Sequence, residues 1–560
     1  MSRGVSAVRS VFVGLVAVAV ILPMAKASGP YVIGSGNTVT ADPLVTRPAT
    51  TPCVVQLLDN AEFNVYAPIP FTYTPPSGCP GPWAKVVFEA DISVTEGIQY
   101  DRTANFWLGP TVIYFGTTAE PSPTLGPSWH VESDLTDYSS IFNTAQSGEA
   151  DIFNIVNSTY TGIIYATASL EFYPLAPGQT APVVADQVFA LSAGSSGGTV
   201  ALNTGADRLT GTFTFPTNVE SAYLDVYAQG QSNDEFWYTC VPTAVGGTLD
   251  SCTNTPFRET DIAIDGQLAG VAPVYPWIFT GGIDPFLWFP IPGVQTLNFT
   301  PYRVNLTPFA GLLSDGKPHT ISLGVFNADS YFSATASLLV YLDAGSTQVT
   351  GAVTQNTLAL PTPAITTNLT SSPDFIRGTI DVSSKRSFTI SGYANTSQGK
   401  VTTTLQQTIN FTNNQYFNIN ASQYMQDISQ ATIIHSTATT TANGSTTTNS
   451  QNYNWPLGVD IREVVSSATG DIDVMTNANQ TYELSTSTSA AGKQTYTSSL
   501  SNAGQHVDTL EYDSSGNFIG NTGQSSAQQY TSFDSTGNSY DCSIAAVANA
   551  LTAFSTGCAQ

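Results

Sequence analysis

Apolar and polar residues alternate along most of the chain. Ala222-Tyr-Leu-Asp-Val-Tyr-Ala228, Ser387-Phe-Thr-Ile-Ser391 and Lys400-Val-Thr-Thr-Thr-Leu-Gln-Gln-Thr-Ile-Asn-Phe411 all run with a period near two, and Gly, Pro and Asn interrupt such runs. A period of two sends successive side chains to opposite faces of a strand. Many short strands with regular breaks predict an all-β fold of the sandwich or barrel class. Helical periodicity is nearly absent, and the best helix candidate is Ser543–Ala553.

An internal repeat organises the middle of the chain. Asp134-Leu-Thr-Asp-Tyr138-Ser-Ser-Ile141 matches Asn305-Leu-Thr-Pro-Phe309-Ala-Gly-Leu312, and Ala166-Thr-Ala-Ser-Leu170 recurs as Ala334-Thr-Ala-Ser-Leu338. Ordered matches at nearly one offset predict two homologous β-sandwiches, 50–185 and 190–350, joined at the Gly/Ser stretch Ser192–Gly198. Beyond residue 360 charge thins and Thr, Ser, Asn and Gln dominate. A disordered, mucin-like tail is one reading of that composition. The regular aromatics and continued alternation favour a third β-rich domain over 360–560.

Charge narrows the partners. Only 10% of the 560 residues are charged, and the net charge is −25. Nucleic acid is excluded as a partner, because its binding draws on clustered Lys and Arg. Arg3 and Arg9, the apolar run Val11–Leu22 and the A-x-A pattern ending at Ala27 read as a signal peptide over 1–27. An uncleaved anchor is the alternative, but the apolar run is short for a span. The mature chain is therefore expected to have no membrane span and to be secreted or extracellular, with cell-surface association a variant of that reading. Cys53, Cys79, Cys240, Cys252, Cys542 and Cys558 are even in number and expected to form disulfides, by proximity 53–79, 240–252 and 542–558. Sequons recur, among them Asn157-Ser-Thr, Asn298-Phe-Thr, Asn305-Leu-Thr and Asn443-Gly-Ser.

Several chemistries are poorly supported. His130, His319, His435 and His506 have no ligand spacing, so no metal site is expected. Gly194-Ser-Ser196-Gly-Gly198 fits G-x-S-x-G but lacks the strand–turn–helix setting of a nucleophile elbow and reads as linker. Carboxylates remain. Tyr100-Asp101-Arg102 and Asn233-Asp234-Glu235-Phe236-Trp237-Tyr238 set acids beside dense aromatics. Aromatic faces stack on sugar rings, and a positioned carboxylate activates water. In a regular strand Asp101 and Arg102 would face opposite ways, so they share a site only at a strand end or bulge. A surface ion pair beside a core-facing strand is the plainer alternative.

A chain of ordered motifs bears on that choice. It runs through Ser77-Gly-Cys79-Pro-Gly-Pro-Trp83, Tyr100-Asp101-Arg102-Thr-Ala-Asn-Phe-Trp-Leu-Gly109, Thr118-Ala-Glu120-Pro and Asp134-Leu-Thr-Asp-Tyr138. It continues through Asp234-Glu-Phe-Trp-Tyr238, Phe257-Arg258-Glu-Thr-Asp and Thr280-Gly-Gly-Ile-Asp-Pro-Phe-Leu-Trp288. Over about 50–345 the chain resembles the peptide-N-glycosidase A family. The resemblance implies tandem jelly-roll sandwiches with a site between them, and N-glycosylated peptides or proteins as substrate. It also implies hydrolysis of the amide joining Asn to N-acetylglucosamine, with no cofactor. By similarity to the distant peptide-N-glycosidase F type, Asp101 and Glu235 carry the catalytic roles and Arg102 assists. A third glutamate of that type falls near Asn157 and has no counterpart here. Arg258, Asp234 and Glu120 are expected to contact substrate, and Trp107, Trp237 and Trp288 to wall the sugar cleft. A two-carboxylate glycoside hydrolase and a non-catalytic carbohydrate-binding surface protein are the alternative readings.

Overall fold

The computed structural model describes residues 31–558; the leader expected at 1–27 lies outside the described residues. Eight strands come first: β1 (Cys53–Phe63), β2 (Ile69–Tyr73), β3 (Trp83–Val94), β4 (Thr103–Leu108), β5 (Thr111–Thr117), β6 (Ser128–Asp134), β7 (Gln146–Ile152) and β8 (Ile164–Pro174). They form two antiparallel sheets, ordered β1-β8-β3-β6 and β2-β7-β4-β5. Phe88, Ile92 and Phe172 of one sheet and Phe106, Tyr114 and Ile152 of the other share one core. Two four-stranded sheets threaded in this order are a jelly roll.

The next strands are β9 (Gln187–Leu191), β10 (Val200–Leu202), β11 (Leu209–Thr214), β12 (Val219–Gln231), β13 (Glu259–Ile264), β14 (Gln267–Pro273), β15 (Tyr302–Asn305), β16 (Pro318–Phe326) and β17 (Tyr331–Leu342). Their sheets run β10-β17-β12-β15, with β9 also on β17, and β11-β16-β13-β14. With β9 set aside, strand for strand this is the same threading. The repeated motifs fall on equivalent elements. Asp134–Ile141 and Asn305–Leu312 each lead from the sixth strand of the roll into short helices, and the two Ala-Thr-Ala-Ser-Leu segments lie in β8 and β17.

The rest is one antiparallel sheet of eleven strands: β18 (Thr350–Asn356), β19 (Ala364–Ser371), β20 (Phe375–Thr396), β21 (Gly399–Asn420), β22 (Gln423–Ala442), β23 (Ser445–Val465), β24 (Ile472–Ala490), β25 (Lys493–Tyr512), β26 (Phe518–Asp534), β27 (Ser539–Val547) and β28 (Ala550–Phe554). The strict alternation seen in sequence gives each long strand one covered face. In β21, Ile409, Phe411 and Phe417 are buried and share a core with Leu224, Phe257 and Ile262 of the second jelly roll. The same face carries amides. Asn413 donates to the Tyr238 carbonyl (2.9 Å), Gln415 to Cys240 (2.8 Å), Gln426 to Thr239 (3.1 Å) and Gln480 to Pro276 (2.6 Å). Buried carbonyls outside regular structure need partners, and the Asn/Gln bias of this region supplies them.

The expected helix at Ser543–Ala553 is instead the hairpin of β27 and β28, turning through Ala548 and Asn549 at φ 50° and 61°. Alanine content favoured a helix. Burial of Ile544, Ala546 and Leu551 on alternate positions and pairing with β26 decide for a strand. All six cysteines are bridged, as 53–79, 240–252 and 542–558.

Candidate active site

The two jelly rolls meet along β5. Thr117 N–H donates to the Thr296 carbonyl and Phe299 N–H to that of Phe115, at 2.9 and 2.8 Å. Asp225, on β12, accepts from Arg303 and from the Tyr138 hydroxyl of the first roll. This locked seam fixes one end of each roll against the other.

Asp101 stands at that seam, two residues before β4. The chain is not yet in the sheet there, so the side chains of Asp101 and Arg102 escape strict alternation. Asp101 N–H donates to Glu120 Oε1 (3.1 Å), and the Asp101 carboxylate accepts from Gly281 N–H (3.2 Å) across the seam. A Cβ on Gly281 would meet the Glu120 carboxylate and force it to shift. The Thr280 hydroxyl donates to the Thr118 carbonyl (2.8 Å), and Trp288 Nε1 donates to the Gly282 carbonyl (2.9 Å). Both bonds hold the Gly281 turn in place.

Arg102 Nη2 donates to Gln99 Oε1 at 2.6 Å. Gln99 is buried and donates in turn to the Ile155 and Gly162 carbonyls, both at 3.1 Å. The guanidinium is thus tied to the β7–β8 connection. Glu235 comes from the second roll, on the 3-10 turn Ser232–Thr239 that follows β12. Its carboxyl is within electrostatic reach of both Asp101 and Glu120.

Three carboxyls in one half-buried cluster cannot all ionise near neutrality. Burial, then the charge of Asp101, pushes Glu120 up to about 8. Burial, then Asp101 and Glu120, pushes Glu235 up to about 8. Burial also raises Asp101, but the Gly281 N–H and the charge of Arg102 oppose the shift. The environment separates one carboxylate from two neutral acids. Such a set can deprotonate a water at Asp101 while the two acids donate hydrogen bonds or a proton to the group attacked.

The profile of the family described as peptide N-acetyl-beta-D-glucosaminyl asparaginase amidase A matches residues 43–359. The chain belongs to this family. A relative from Prunus dulcis, peptide-N4-(N-acetyl-beta-glucosaminyl)asparagine amidase A, is 32% identical over 388 residues, 65% of this chain and 67% of that protein. Among solved structures, PNGF-II aligns at 12% identity and a TM-score of 0.38, covering 52% of this chain and 65% of that one. PNGase F from Flavobacterium meningosepticum aligns at 14% and 0.34, covering 52% and 96%.

In this amidase A family member, Asp101, Arg102, Glu120 and Glu235 converge. Other residues singled out in the sequence lie elsewhere. Asp234 and Arg258 pair at 2.8 Å with side chains 1% and 0% exposed. Asp234 also accepts from the Asp329 and Ser330 N–H groups. Neither has surface for a ligand, so the expected substrate contact is corrected to a structural bolt that fixes the turn bearing Glu235. Trp107, Trp237 and Trp288 are likewise buried and wall no cleft. Their bulk is core: Trp237 packs on Tyr238 and Phe411, and Gly197 of the G-x-S-x-G match sits on the Trp107 ring.

Tyrosines that sequence reasoning passed over hold the exposed positions. Tyr100 is 53% exposed and its ring pairs with Tyr160 at 5.2 Å. Tyr66, 69% exposed, stacks on Phe153 at 4.7 Å. Tyr331 lies within reach of both Tyr66 and Glu235. Tyr100 abuts the Asp101-Arg102 pair in sequence, and that adjacency was the available signal; the other rings are distant in the chain.

Elsewhere among the described residues, Glu89, His130 and Glu132 place potential ligand atoms within 4.8 Å of one another. The Arg47 guanidinium already occupies this cluster, bonded to Glu132 and lying 3.5 Å from Glu89.

Proposed function

We infer that the chain hydrolyses the side-chain amide linking asparagine to N-acetylglucosamine in glycopeptides or glycoproteins, leaving aspartate. The clustering of Asp101, Arg102, Glu120 and Glu235 at the seam carries this reading. Asp101 takes a proton from water, whose oxygen attacks the amide carbon. Arg102 and a neutral carboxyl of Glu120 hold the carbonyl oxygen as charge develops. The Glu235 carboxyl gives its proton to the departing nitrogen. The C–N bond breaks, yielding a peptide carboxyl and a glycosylamine. Tyr100, Tyr160 and Tyr66 offer faces to sugar rings or peptide at the rim. We assign the chain outside the cell; three disulfides support this, and no helix among the described residues is long and apolar enough to cross a membrane.

Mass spectrometry of a defined N-glycopeptide tests the reading. Release of the glycan with Asn converted to Asp, abolished in Asp101→Asn, is the expected result. A peptide that retains one N-acetylglucosamine would assign a glycosidase instead. Binding without any cleavage would leave a carbohydrate-binding protein.

A further inference from the structure

The β7–β8 connection, residues 153–163, walls the site and carries a sequon, Asn157-Ser-Thr. Asn157 is exposed. Its Oδ1 accepts from the Thr159 and Tyr160 N–H groups at 2.8 and 2.9 Å, while its Nδ2 has no partner among the described residues. Asn305 and Asn420 share this pattern, each Oδ1 accepting from a residue two positions on, but three other sequon asparagines differ. Asn298 Nδ2 donates to the Glu132 carbonyl, Asn395 Nδ2 to Thr350, and Asn443 Nδ2 to the Gln398 carbonyl. The amide nitrogen that would carry a glycan is therefore free at residue 157 and engaged at these three.

The position bears on catalysis. Three residues later the Tyr160 ring packs against that of Tyr100 at 5.2 Å, tilted by 49°, next to Asp101. Thr161 and Gly162 N–H groups donate to the Ile98 carbonyl, and Gln99 ties Ile155 and Gly162 to Arg102. A saccharide on Asn157 would rise from the same rim that substrate must cross.

We propose that Asn157 is a glycan acceptor whose glycan covers the site until another copy of the chain removes it. This rests on the function proposed above. Removal in trans follows from the geometry: the Asn157 side chain is held at the rim by its own turn, while the reacting carboxyls lie inside the seam. The step consumes water, breaks the Asn157 amide, releases a glycosylamine and leaves aspartate.

The full chain carrying Asp101→Asn, made in a host that glycosylates Asn-x-Ser/Thr, is expected to bear a glycan at residue 157. The active chain is expected to bear Asp there. Unmodified Asn157 in both overturns the proposal. A trace of active chain, mixed with the glycosylated Asp101→Asn protein and a free glycopeptide, is expected to convert both. If the free glycopeptide is cleaved and Asn157 keeps its glycan, the proposal fails; if neither is cleaved, the function assignment fails first. Adding Asn157→Gln or Thr159→Ala to Asp101→Asn removes the glycan by two routes. Each is expected to tighten glycopeptide binding by about tenfold, and equal affinity with and without the glycan overturns the covering role.

Discussion

In the first jelly roll the connection into its fourth strand spans residues 95–102 and ends in Asp101-Arg102 before β4. In the second the equivalent connection spans 232–258 and ends in Phe257-Arg258 before β13. Both place an arginine immediately before the strand. In the first roll that arginine is half-buried, beside a carboxyl that faces the seam. In the second it is fully buried against Asp234. The seventh-to-eighth connections are reversed in length: 153–163 builds an aromatic rim, while 327–330 folds tightly and donates two N–H groups to Asp234. One topology thus offers two sets of loops. One set holds the carboxyl proposed to activate water, and the other is the frame that delivers Glu235. The difference lies in burial: a charge pair without solvent or ligand access is structure, whatever its resemblance to a motif.

Substitutions can break that comparison. Asp101→Asn is expected to lower kcat by about 10³-fold or more with little change in Tm, read by glycopeptide turnover beside calorimetry. Arg258→Met should do the reverse. Leaving Asp234 buried and unpaired costs about 3–5 kcal/mol, so a large fall in Tm is expected; an unchanged Tm with lost activity would return Arg258 to the site.

The acidic cluster allows a sharper contrast. Glu120 and Glu235 have folded values near 8, above their unfolded value of about 4.3. Their stabilising contribution is complete below the unfolded value and is lost as pH rises through about 8. Glu235→Gln is therefore expected to raise Tm at pH 9 relative to the parent while reducing turnover, and a Tm difference independent of pH would contradict the assigned protonation. The same titration predicts that kcat falls as pH rises through about 8.

Gly281→Ala is expected to reduce kcat by about tenfold, because the added Cβ meets Glu120; parent-like turnover would show that the seam yields. The smallest effect is expected at Asn413→Ala. Losing its bond to the Tyr238 carbonyl leaves a buried acceptor unsatisfied, at about 1–3 kcal/mol, with kcat lowered by less than about twofold. A thermal melt and a turnover assay on the same sample separate the two.

How much of this was legible beforehand differs by level. The period-two alternation specified strands, because side-chain direction in a strand is local. The repeat announced two equivalent rolls, since duplicated local patterns fold alike. Asp101, Arg102 and Glu235 were visible because charge is scarce in this chain. The alternation did not distinguish Trp107 in a core from Tyr100 at a rim, because both lie in aromatic, strand-like sequence. Nor did local alanine content at Ser543–Ala553 foresee that a neighbouring strand would impose a hairpin.

What the sequence determined by itself is therefore the class of fold, its duplication and the few acids set beside aromatics. Tertiary structure alone decided which acids meet, that Asp234 and Arg258 are a bolt, and that the Asn/Gln-rich sheet braces the loops behind Glu235. The physical reason is that burial and the electrostatic coupling of three carboxyls depend on separations between segments far apart in the chain, and no local pattern encodes those separations.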